Sequence, residues 1–384
     1  MARRVNRRLE RQERKNEAVF SVVSTVWLAW NACGAYLEFR KRRNLSHVSN
    51  RILVGGMRGK TTFVRLLHAG LLRHGVRTLG RVSGDSPVLL LPDGQERLSP
   101  RRGLPNIAEL QRVLLDPMTR NAEAVILENM AIRPDLQQVV REQIFRPTLQ
   151  VMAGDAPDHL DVFPEDPRAR AAMLLGTLDK RVPLLLVPGG ENEEMLALAR
   201  KRGFSLVEPV EGLALPGLHA HMRHIVAAVM AALVRFGAGR DAALEAIVPL
   251  AEEYQKIDVY TTTEGFRLAD LLSVNDPLST SQLLRLLLAK AGVEPEQAGV
   301  IYCHRGDRGV RFQSFLDILR RHPAVVVGDR PPLWLLRKSG AHYSKRLEPD
   351  MFPGSGFAFA AGNTANAGVR VRSLFRSLGE HARW

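Results

Sequence analysis

A glycine-rich turn between a short apolar run and a helical pattern is the segment of this sequence best suited to bind phosphate. Residues 51–62 are RILVGGMRGKTT. Gly56 and Gly59 let backbone N–H groups converge on a phosphate, and the N-terminus of the following helix adds its positive dipole end. Lys60 can reach the β- and γ-phosphates, and the Thr61 hydroxyl can hold Mg²⁺. The pattern predicts a site for ATP with Mg²⁺ or Mn²⁺. Its predicted cofactor-binding residues are Gly56, Met57, Arg58, Gly59, Lys60, Thr61 and Thr62.

Two further segments place possible metal ligands after predicted strands. Glu128 ends the apolar run 124–127, and the sequence DHLD at 158–161 follows the predicted strand 149–153. The carboxyl ends of parallel strands meet at the ligand-binding edge of a sheet. A carboxylate there can bind Mg²⁺ directly, and a neutral imidazole can ligate a second metal ion. Each segment alone also fits a solvated strand end or a turn. The predicted metal ligands are Thr61, Glu128 and His159.

Alternating strand and helix patterns place these residues in an α/β protein with a mostly parallel sheet. Residues 204–207 are the last predicted strand of the first unit, and a second unit begins near Phe266. We predict a P-loop central domain over 44–255 and a smaller, C-terminal Rossmann-like domain over 256–384. The predicted strands are 51–55, 76–82, 124–128, 149–153, 182–187, 204–207, 299–303 and 324–327. The predicted helices are 60–74, 107–115, 134–144, 168–178, 191–202, 218–236, 240–252, 277–291 and 310–321.

The N-terminal region, residues 1–43, combines basic flanks with an uncharged apolar run. Residues 1–50 carry eleven Arg and Lys and four acids, half of the net charge of +14. Residues 18–37 are long enough to span a bilayer core, and basic flanks suggest a lipid surface rather than nucleic acid. We therefore predict a membrane helix. A buried core helix, an interfacial helix and a re-entrant helix remain alternatives, because both flanks are basic and leave the orientation open.

One face of this helix carries small and polar side chains, which suit packing against another membrane helix. They are Ser21, Ser24, Thr25 and Asn31. The chain has two cysteines, Cys33 and Cys303. They support neither a disulfide framework nor a cysteine metal site, in keeping with a reducing compartment.

Short segments along residues 45–380 resemble the ATP-dependent Mur ligase superfamily, and within it the ligase subunit, capsule B type, of bacterial poly-γ-glutamate synthases. The G-x-x-G-K-T pattern at 56–61 is the form of phosphate loop found in Mur-type ligases. That family also carries an N-terminal membrane segment, which residues 18–37 fit. The other matching segments are 82–87, 91–94, 102–109, 128–137, 158–162, 275–280 and 305–308.

This resemblance implies residue roles. Lys60 and Thr61 would hold ATP and Mg²⁺, and Glu128 and His159 would hold metal. Arg305 and Asp307, from the last domain, would close over the nucleotide. Asn275 and Asp276 would line the reaction cleft. The catalytic set implied in this way is Lys60, His159, Asn275, Asp276, Arg305 and Asp307, with Arg305 also contacting the nucleotide.

The sequence departs from the family pattern at several positions. Gly154 stands where an asparagine usually precedes the Asp-His pair, which removes an expected nucleotide contact. Ala220 and Arg223 replace two asparagines of a Mur-type G-x-H-N element near 215–219. No lysine lies between Asp158 and Leu178, so a carbamylated lysine ligand is not expected.

We expect an ATP-dependent amide ligase that activates a carboxylate as an acyl phosphate and joins glutamate into poly-γ-glutamate. A ligase for another amino acid or acceptor, of the folylpolyglutamate type, and a non-catalytic ATP-binding membrane scaffold are the alternatives. The expected partners are glutamate, the growing polymer, the membrane, a small polytopic membrane subunit and further copies of the chain, but not nucleic acid. The expected location is the inner membrane, with the catalytic domains facing the cytoplasm.

Overall fold

The computed structural model describes residues 2–83, 87–101, 105–154, 162–188, 192–274, 276–354 and 356–384. Their first sheet has eight strands in the order β4-β3-β2-β5-β1-β6-β7-β8. All neighbours are parallel except the β2–β3 and β3–β4 pairs. The strands are β1 (Asn50–Gly55), β2 (Thr78–Val82), β3 (Val88–Leu90), β4 (Glu96–Leu98), β5 (Ala124–Glu128), β6 (Leu149–Met152), β7 (Leu184–Leu186) and β8 (Leu206–Val207).

Helices cover both faces of this sheet, as the βα alternation requires. The helices are α1 (Ala2–Leu45), α2 (Lys60–Arg73), α3 (Ala108–Leu115), α4 (Pro117–Asn121), α5 (Pro134–Val139), α6 (Pro167–Gly176), α7 (Glu193–Lys201), α8 (Ala220–Arg235) and α9 (Arg240–Gln255). Helices α2, α8 and α9 bury their apolar residues against one face, and α3 packs on the other. Because β1 pairs with β5 and β6 at the centre, the loop that follows β1 lies over the middle of the sheet edge.

The second sheet has seven strands in the order β13-β12-β11-β14-β10-β9-β15. Its strands are β9 (Asp258–Thr262), β10 (Arg267–Asp270), β11 (Ala298–His304), β12 (Ala324–Gly328), β13 (His342–Ser344), β14 (Phe357–Gly362) and β15 (Gly379–Arg383). The first five strands in the sheet order run parallel to one another. Strand β9 is antiparallel to both of its neighbours, β10 and β15. The helices are α10 (Pro277–Ala291), α11 (Gly309–Ser314), α12 (Leu316–Arg321), α13 (Leu333–Ser339) and α14 (Ala367–Leu378).

Helix α1 is continuous from Ala2 to Leu45, so the predicted segment 18–37 is the middle of a longer helix. Its last turns are hydrogen-bonded to the first α/β unit. Lys41 Nζ donates to the Gln143 carbonyl at 2.8 Å, and Asn44 Nδ2 donates to the Leu114 carbonyl at 2.8 Å. The stretch Val19–Leu45 has the length and composition of a membrane span, a test that signal sequences also pass. Phe20 and Trp30 are 75% and 80% exposed, so α1 is not a core helix of this chain.

The structure confirms the two α/β units and refines several boundaries. Helix α10 has the predicted bounds, but the predicted helix 310–321 is divided at Phe315 into α11 and α12. The predicted helix 134–144 is α5 followed by a π-helical segment, Val140–Phe145. The second sheet begins at Asp258 rather than near Phe266. The β3–β4 hairpin was not predicted, and neither were β9, β10, β13, β14, β15, α4, α13 and α14.

Candidate active site

The loop after β1 has the backbone geometry of a phosphate-binding turn. Gly56 has φ +104° and Gly59 has φ +78°, both in the region that favours glycine. A Cβ on Gly56 would lie 2.8 Å from the backbone nitrogen of Ala153, so no larger residue fits. The Met57 N–H donates to the Gly154 carbonyl at 2.6 Å. The loop is therefore held against the carboxyl end of β6.

This contact gives Gly154 a structural role. A Cβ on Gly154 would lie 3.3 Å from the Arg58 carbonyl oxygen. A larger residue would press on the phosphate loop at this distance. The glycine that departs from the expected asparagine is thus matched to the close approach of Arg58.

Lys60 lies across the loop, as expected for a phosphate ligand. Its Nζ donates to the Gly56 carbonyl at 2.7 Å and to the Met57 carbonyl at 3.2 Å. The ammonium group is thus held at the loop by two of its carbonyl groups. A bound polyphosphate would offer stronger, charge-assisted acceptors for the same donors.

Thr61 and Glu128, two of the predicted metal ligands, are in contact. The Thr61 hydroxyl donates to Glu128 Oε2 at 3.0 Å, because register pairing places Val54 of β1 opposite Glu128 of β5. Ser83 fixes the same carboxylate, donating from its backbone nitrogen at 2.9 Å and from its hydroxyl at 2.7 Å. A hydroxyl and a carboxylate beside a phosphate loop are the oxygen donors that Mg²⁺ prefers, so the residues present fit a nucleotide-bound divalent ion.

The third predicted metal ligand, His159, lies outside the described residues, as does Asn275. Among the residues that are described, no three His, Cys, Asp or Glu side chains converge as a metal site. All three metal ligands therefore stay predictions, and Thr61 and Glu128 are the two whose contact the structure describes.

An arginine-rich group lies beside Ser83, the residue that holds the Glu128 carboxylate. Arg101 NH2 donates to the Ser83 carbonyl at 2.7 Å. Arg101 Nε also lies 3.4 Å from Glu109 Oε1, and Glu109 forms a buried ion pair with Arg81. Sequence patterns did not single out Arg81 or Arg101, and placed Glu109 only within a matching segment.

Asp276 belongs to the second α/β unit but contacts the phosphate loop. Its Oδ2 lies 3.4 Å from Arg58 Nε, and both side chains are largely buried. Its Oδ1 accepts from the Ser279 N–H at 2.8 Å and caps α10. The predicted cleft residue is therefore joined to a predicted nucleotide-binding residue by an ion pair between the two units.

His221, at the start of α8, was not predicted as a site residue. Its Nε2 lies 3.7 Å from the position of a Cβ on Gly59. Although its side chain is exposed, surrounding protein desolvates the imidazole and lowers its pKa, while the charge of Asp276 opposes this shift. The imidazole therefore lies beside the phosphate loop and within electrostatic reach of Asp276. The Arg223 guanidinium, by contrast, donates to the Leu218 carbonyl at 2.9 Å in its own turn.

Arg305 and Asp307 lie in the loop after β11 and pair with each other. Two hydrogen bonds, of 3.0 and 2.7 Å, join the guanidinium to the carboxylate. Partial burial of Asp307 raises its pKa, but the bonds to Arg305 outweigh this and leave the pKa lowered. The Gly306 N–H donates to Asp329 Oδ2 at 2.8 Å. The structure thus brings Lys60, Thr61, Glu128 and Asp276 to the phosphate loop. Among the described residues, Arg305 and Asp307 bond to each other within the second unit.

The fold and the phosphate-loop site define a protein with the Mur ligase fold. The structure aligns with MurF from Acinetobacter baumannii at a TM-score of 0.58 and 14% identity, over 88% of this chain and 79% of that one. It also aligns with a bifunctional folylpolyglutamate synthase/dihydrofolate synthase from Yersinia pestis, complexed with AMPPNP and Mn ion. That alignment has a TM-score of 0.58 and 14% identity, over 88% of this chain and 92% of that one. At 14% identity, these two alignments establish the fold alone.

Within that class, residues 257–372 match the family described as the Poly-gamma-glutamate synthase CapB C-terminal domain. The chain is also 30% identical over 146 residues to PGA synthase CapB of Bacillus subtilis (strain 168), 36% of this chain and 37% of that protein. It is 29% identical over 124 residues to Capsule biosynthesis protein CapB of Bacillus anthracis, 32% of this chain and 27% of that protein. These matches thus span about a third of the length of the curated relatives.

Proposed function

We propose that this chain is an ATP-dependent amide ligase that activates a carboxylate as an acyl phosphate and joins glutamate into poly-γ-glutamate. The observation that carries the proposal is the Thr61–Glu128 contact beside a glycine loop with Lys60 across it. The matches to CapB proteins support glutamate as the substrate.

The chemistry explains this set of side chains. When bound, ATP supplies the phosphoryl group and its divalent ion neutralises negative charge. A carboxylate that approaches a triphosphate meets repulsion, so fixed positive charge has to lie nearby. Lys60 supplies that charge at the loop, and Glu128, fixed by Ser83, orients the Thr61 hydroxyl for the ion. Once the carboxylate is activated, an amine attacks it, phosphate leaves and the amide forms.

The second unit supplies the remaining proposed roles. Asp276, with Asn275, lines the reaction cleft, and the Arg58–Asp276 pair keeps that edge at the phosphate loop. Arg305 and Asp307 close over the nucleotide once their mutual pair rearranges. Closure would exclude water, which otherwise hydrolyses an acyl phosphate.

Helix α1 supports a location at the inner membrane, with the catalytic units in the cytoplasm and a small polytopic membrane subunit as partner. Its exposed apolar surface extends from the point where Lys41 and Asn44 attach it. Two of the four polar residues proposed to face that partner bond within the helix: Thr25 Oγ1 donates to the Ser21 carbonyl at 2.8 Å, and Asn31 Nδ2 to the Trp27 carbonyl at 2.8 Å. These bonds lower the cost of placing that face against lipid, so the demand for a protein partner is weaker than the sequence suggests. Self-association of the chain also belongs to the proposal.

The test is product formation by membranes that contain the chain, supplied with ATP, Mg²⁺ and glutamate. We expect a γ-linked glutamate polymer from the wild-type chain and roughly 10²–10³-fold slower synthesis by Lys60→Ala. Lys201→Ala, which alters an exposed lysine of α7, serves as the matched control.

Synthesis with another amino acid or with a folate acceptor, and none with glutamate, would favour the folylpolyglutamate-type alternative. ATP binding without any amide product would favour the scaffold.

A further inference from the structure

Three arginine nitrogen atoms close to Glu128 have no hydrogen-bond acceptor among the described residues. They are Nε and NH1 of Arg81 and Nε of Arg101. The Arg81 side chain is 1% exposed and that of Arg101 is 20% exposed. Buried donors without acceptors are costly, and native proteins retain few of them. This group, Arg81, Arg101 and Glu109, is called the arginine cluster below.

The arginine cluster also carries an unbalanced charge. Glu109 is its one carboxylate, and it forms a direct ion pair with Arg81. Arg101 lies 3.4 Å from the same carboxylate through Nε, without a hydrogen bond. Burial lowers the pKa of Arg81, Glu109 opposes that shift, and the neighbouring charge of Arg101 adds to it. Two guanidinium groups thus share Glu109, while Glu128, which also attracts Arg81, is assigned to the divalent ion in the proposed function. An additional anion would then satisfy the remaining charge and the unused donors.

The position of Arg101 indicates where such an anion would lie. Arg101 NH2 donates to the carbonyl of Ser83, and the N–H and hydroxyl of Ser83 hold Glu128. One residue, Ser83, therefore separates the Arg101 guanidinium from the carboxylate that contacts Thr61. A group that receives a phosphoryl group has to approach this same region.

A cavity of about 350 Å³ adjoins the arginine cluster at Glu109, the member of the cluster that lines it. It lies between the β3–β4 hairpin and α3, and Glu109 forms part of its wall. Its wall also holds two cations, Arg97 and Arg112, and a second carboxylate, Asp116, which accepts a hydrogen bond from Arg97 at 2.6 Å. Its volume is in the range of small-molecule sites, roughly 300–1,000 Å³.

We propose that the arginine cluster and this cavity form the binding subsite for the acceptor, an anionic γ-glutamyl chain whose terminal carboxylate contacts Arg101. Arg81 neutralises Glu109, and Glu109 in turn orients the Arg101 guanidinium. The subsite rests on the proposed ligase function, because it assigns the carboxylate substrate of that reaction. A solely structural role for the arginine cluster would require no ligand.

The test is calorimetric binding of γ-glutamylglutamate to the full chain with AMPPNP and Mn²⁺ present. We expect Arg101→Met to weaken the dipeptide Kd by at least about tenfold, the scale of a lost hydrogen bond to a charged group. Arg101→Lys keeps the charge but loses the fork geometry, so its dipeptide Kd should lie between those of the wild type and Arg101→Met. Arg120→Met removes an exposed arginine of α4 and should leave the Kd unchanged. The Kd for AMPPNP should stay within about twofold in all variants.

Three results would overturn the subsite. The wild-type chain could fail to bind the dipeptide, Arg101→Met could bind it as tightly as wild type, or Arg101→Met could lose AMPPNP affinity as strongly as dipeptide affinity. The last result would mean that Arg101 acts only by supporting Glu128. A thermal unfolding curve confirms that each variant is folded.

The subsite and the ligase function can fail separately. Dipeptide binding that depends on Arg101, in a chain that forms no amide, would keep the subsite and reject the function. Amide synthesis with an unchanged acceptor KM in Arg101→Met would keep the function and reject the subsite.

Discussion

The carboxyl edges of the two sheets are prepared for ligands in different ways. At the first sheet, Glu128 is 4% exposed and accepts three hydrogen bonds, from Thr61 and Ser83. At the second sheet, the Asp307 side chain is 60% exposed and bonds mainly to its neighbour Arg305. The first edge is therefore fixed before any nucleotide binds. The second edge has to exchange partners to reach a nucleotide, which suits the half of a ligase that closes.

The largest expected effect is at the fixed edge. Lys60→Ala should lower kcat by roughly 10²–10³-fold, the scale of removing one group that stabilises transition-state charge. Arg305→Met should have a smaller effect on kcat and a larger effect on the KM for ATP, because Arg305 has to rearrange first. Steady-state kinetics with glutamate and ATP measures both.

An equal loss of kcat in the two variants would contradict this contrast between the edges. Arg320→Met, on the exposed side of α12, provides the matched control for Arg305→Met. Circular dichroism should show the wild-type fold in all three variants.

The next effect concerns the metal. Glu128→Gln keeps the side-chain shape but removes the charge, so the Mn²⁺ concentration for half-maximal AMPPNP binding should rise by at least about tenfold. The measurement is a Mn²⁺ titration at fixed nucleotide. Glu123→Gln, near the opposite end of β5, removes an exposed carboxylate and should leave the titration unchanged. If the two variants titrate alike, Glu128 does not serve the ion.

A double-mutant cycle on Arg58→Met and Asp276→Asn tests the link between the two units. Asparagine also caps helices, so the change at Asp276 removes charge and keeps the cap of α10. We expect a coupling of roughly 0.5–3 kcal/mol in the free energy of unfolding, as for residues in direct contact.

The exposed Arg305–Asp307 pair should give a smaller coupling, about 0.2–1 kcal/mol, since solvent screens it. The same cycle with Arg305→Met and Asp307→Asn supplies that value. A larger coupling at 305–307 than at 58–276 would reverse the comparison.

The smallest effect, with no change in activity expected, concerns α1. Cys33 is exposed and Cys303 is buried, and burial raises the pKa of the Cys303 thiol well above its usual value. A water-soluble maleimide should therefore label only Cys33 in the detergent-solubilised chain. In native membranes we expect Cys33 to be protected. Full labelling of Cys33 in membranes would show that this part of α1 stays in water.

The site was predictable from sequence where the signal is local. Gly56, Lys60 and Thr61 lie within one strand–turn–helix pattern, and Glu128 ends an apolar run, so each was found without the fold. The short polar strand β4 shows no alternation, since all three of its residues are exposed. Arg81 interrupts an apolar strand, and only its long-range pair with Glu109 explains it. The Arg58–Asp276 contact joins two units, and no local pattern encodes it.

The central claim is that a carboxylate of the acceptor receives the γ-phosphoryl group. It is tested most directly with an acceptor labelled with heavy oxygen in its carboxyl groups, by mass spectrometry of the phosphate released. The account predicts that each phosphate released with an amide carries one labelled oxygen from the acceptor. Phosphate with solvent oxygen only, or release of AMP and pyrophosphate, would contradict it.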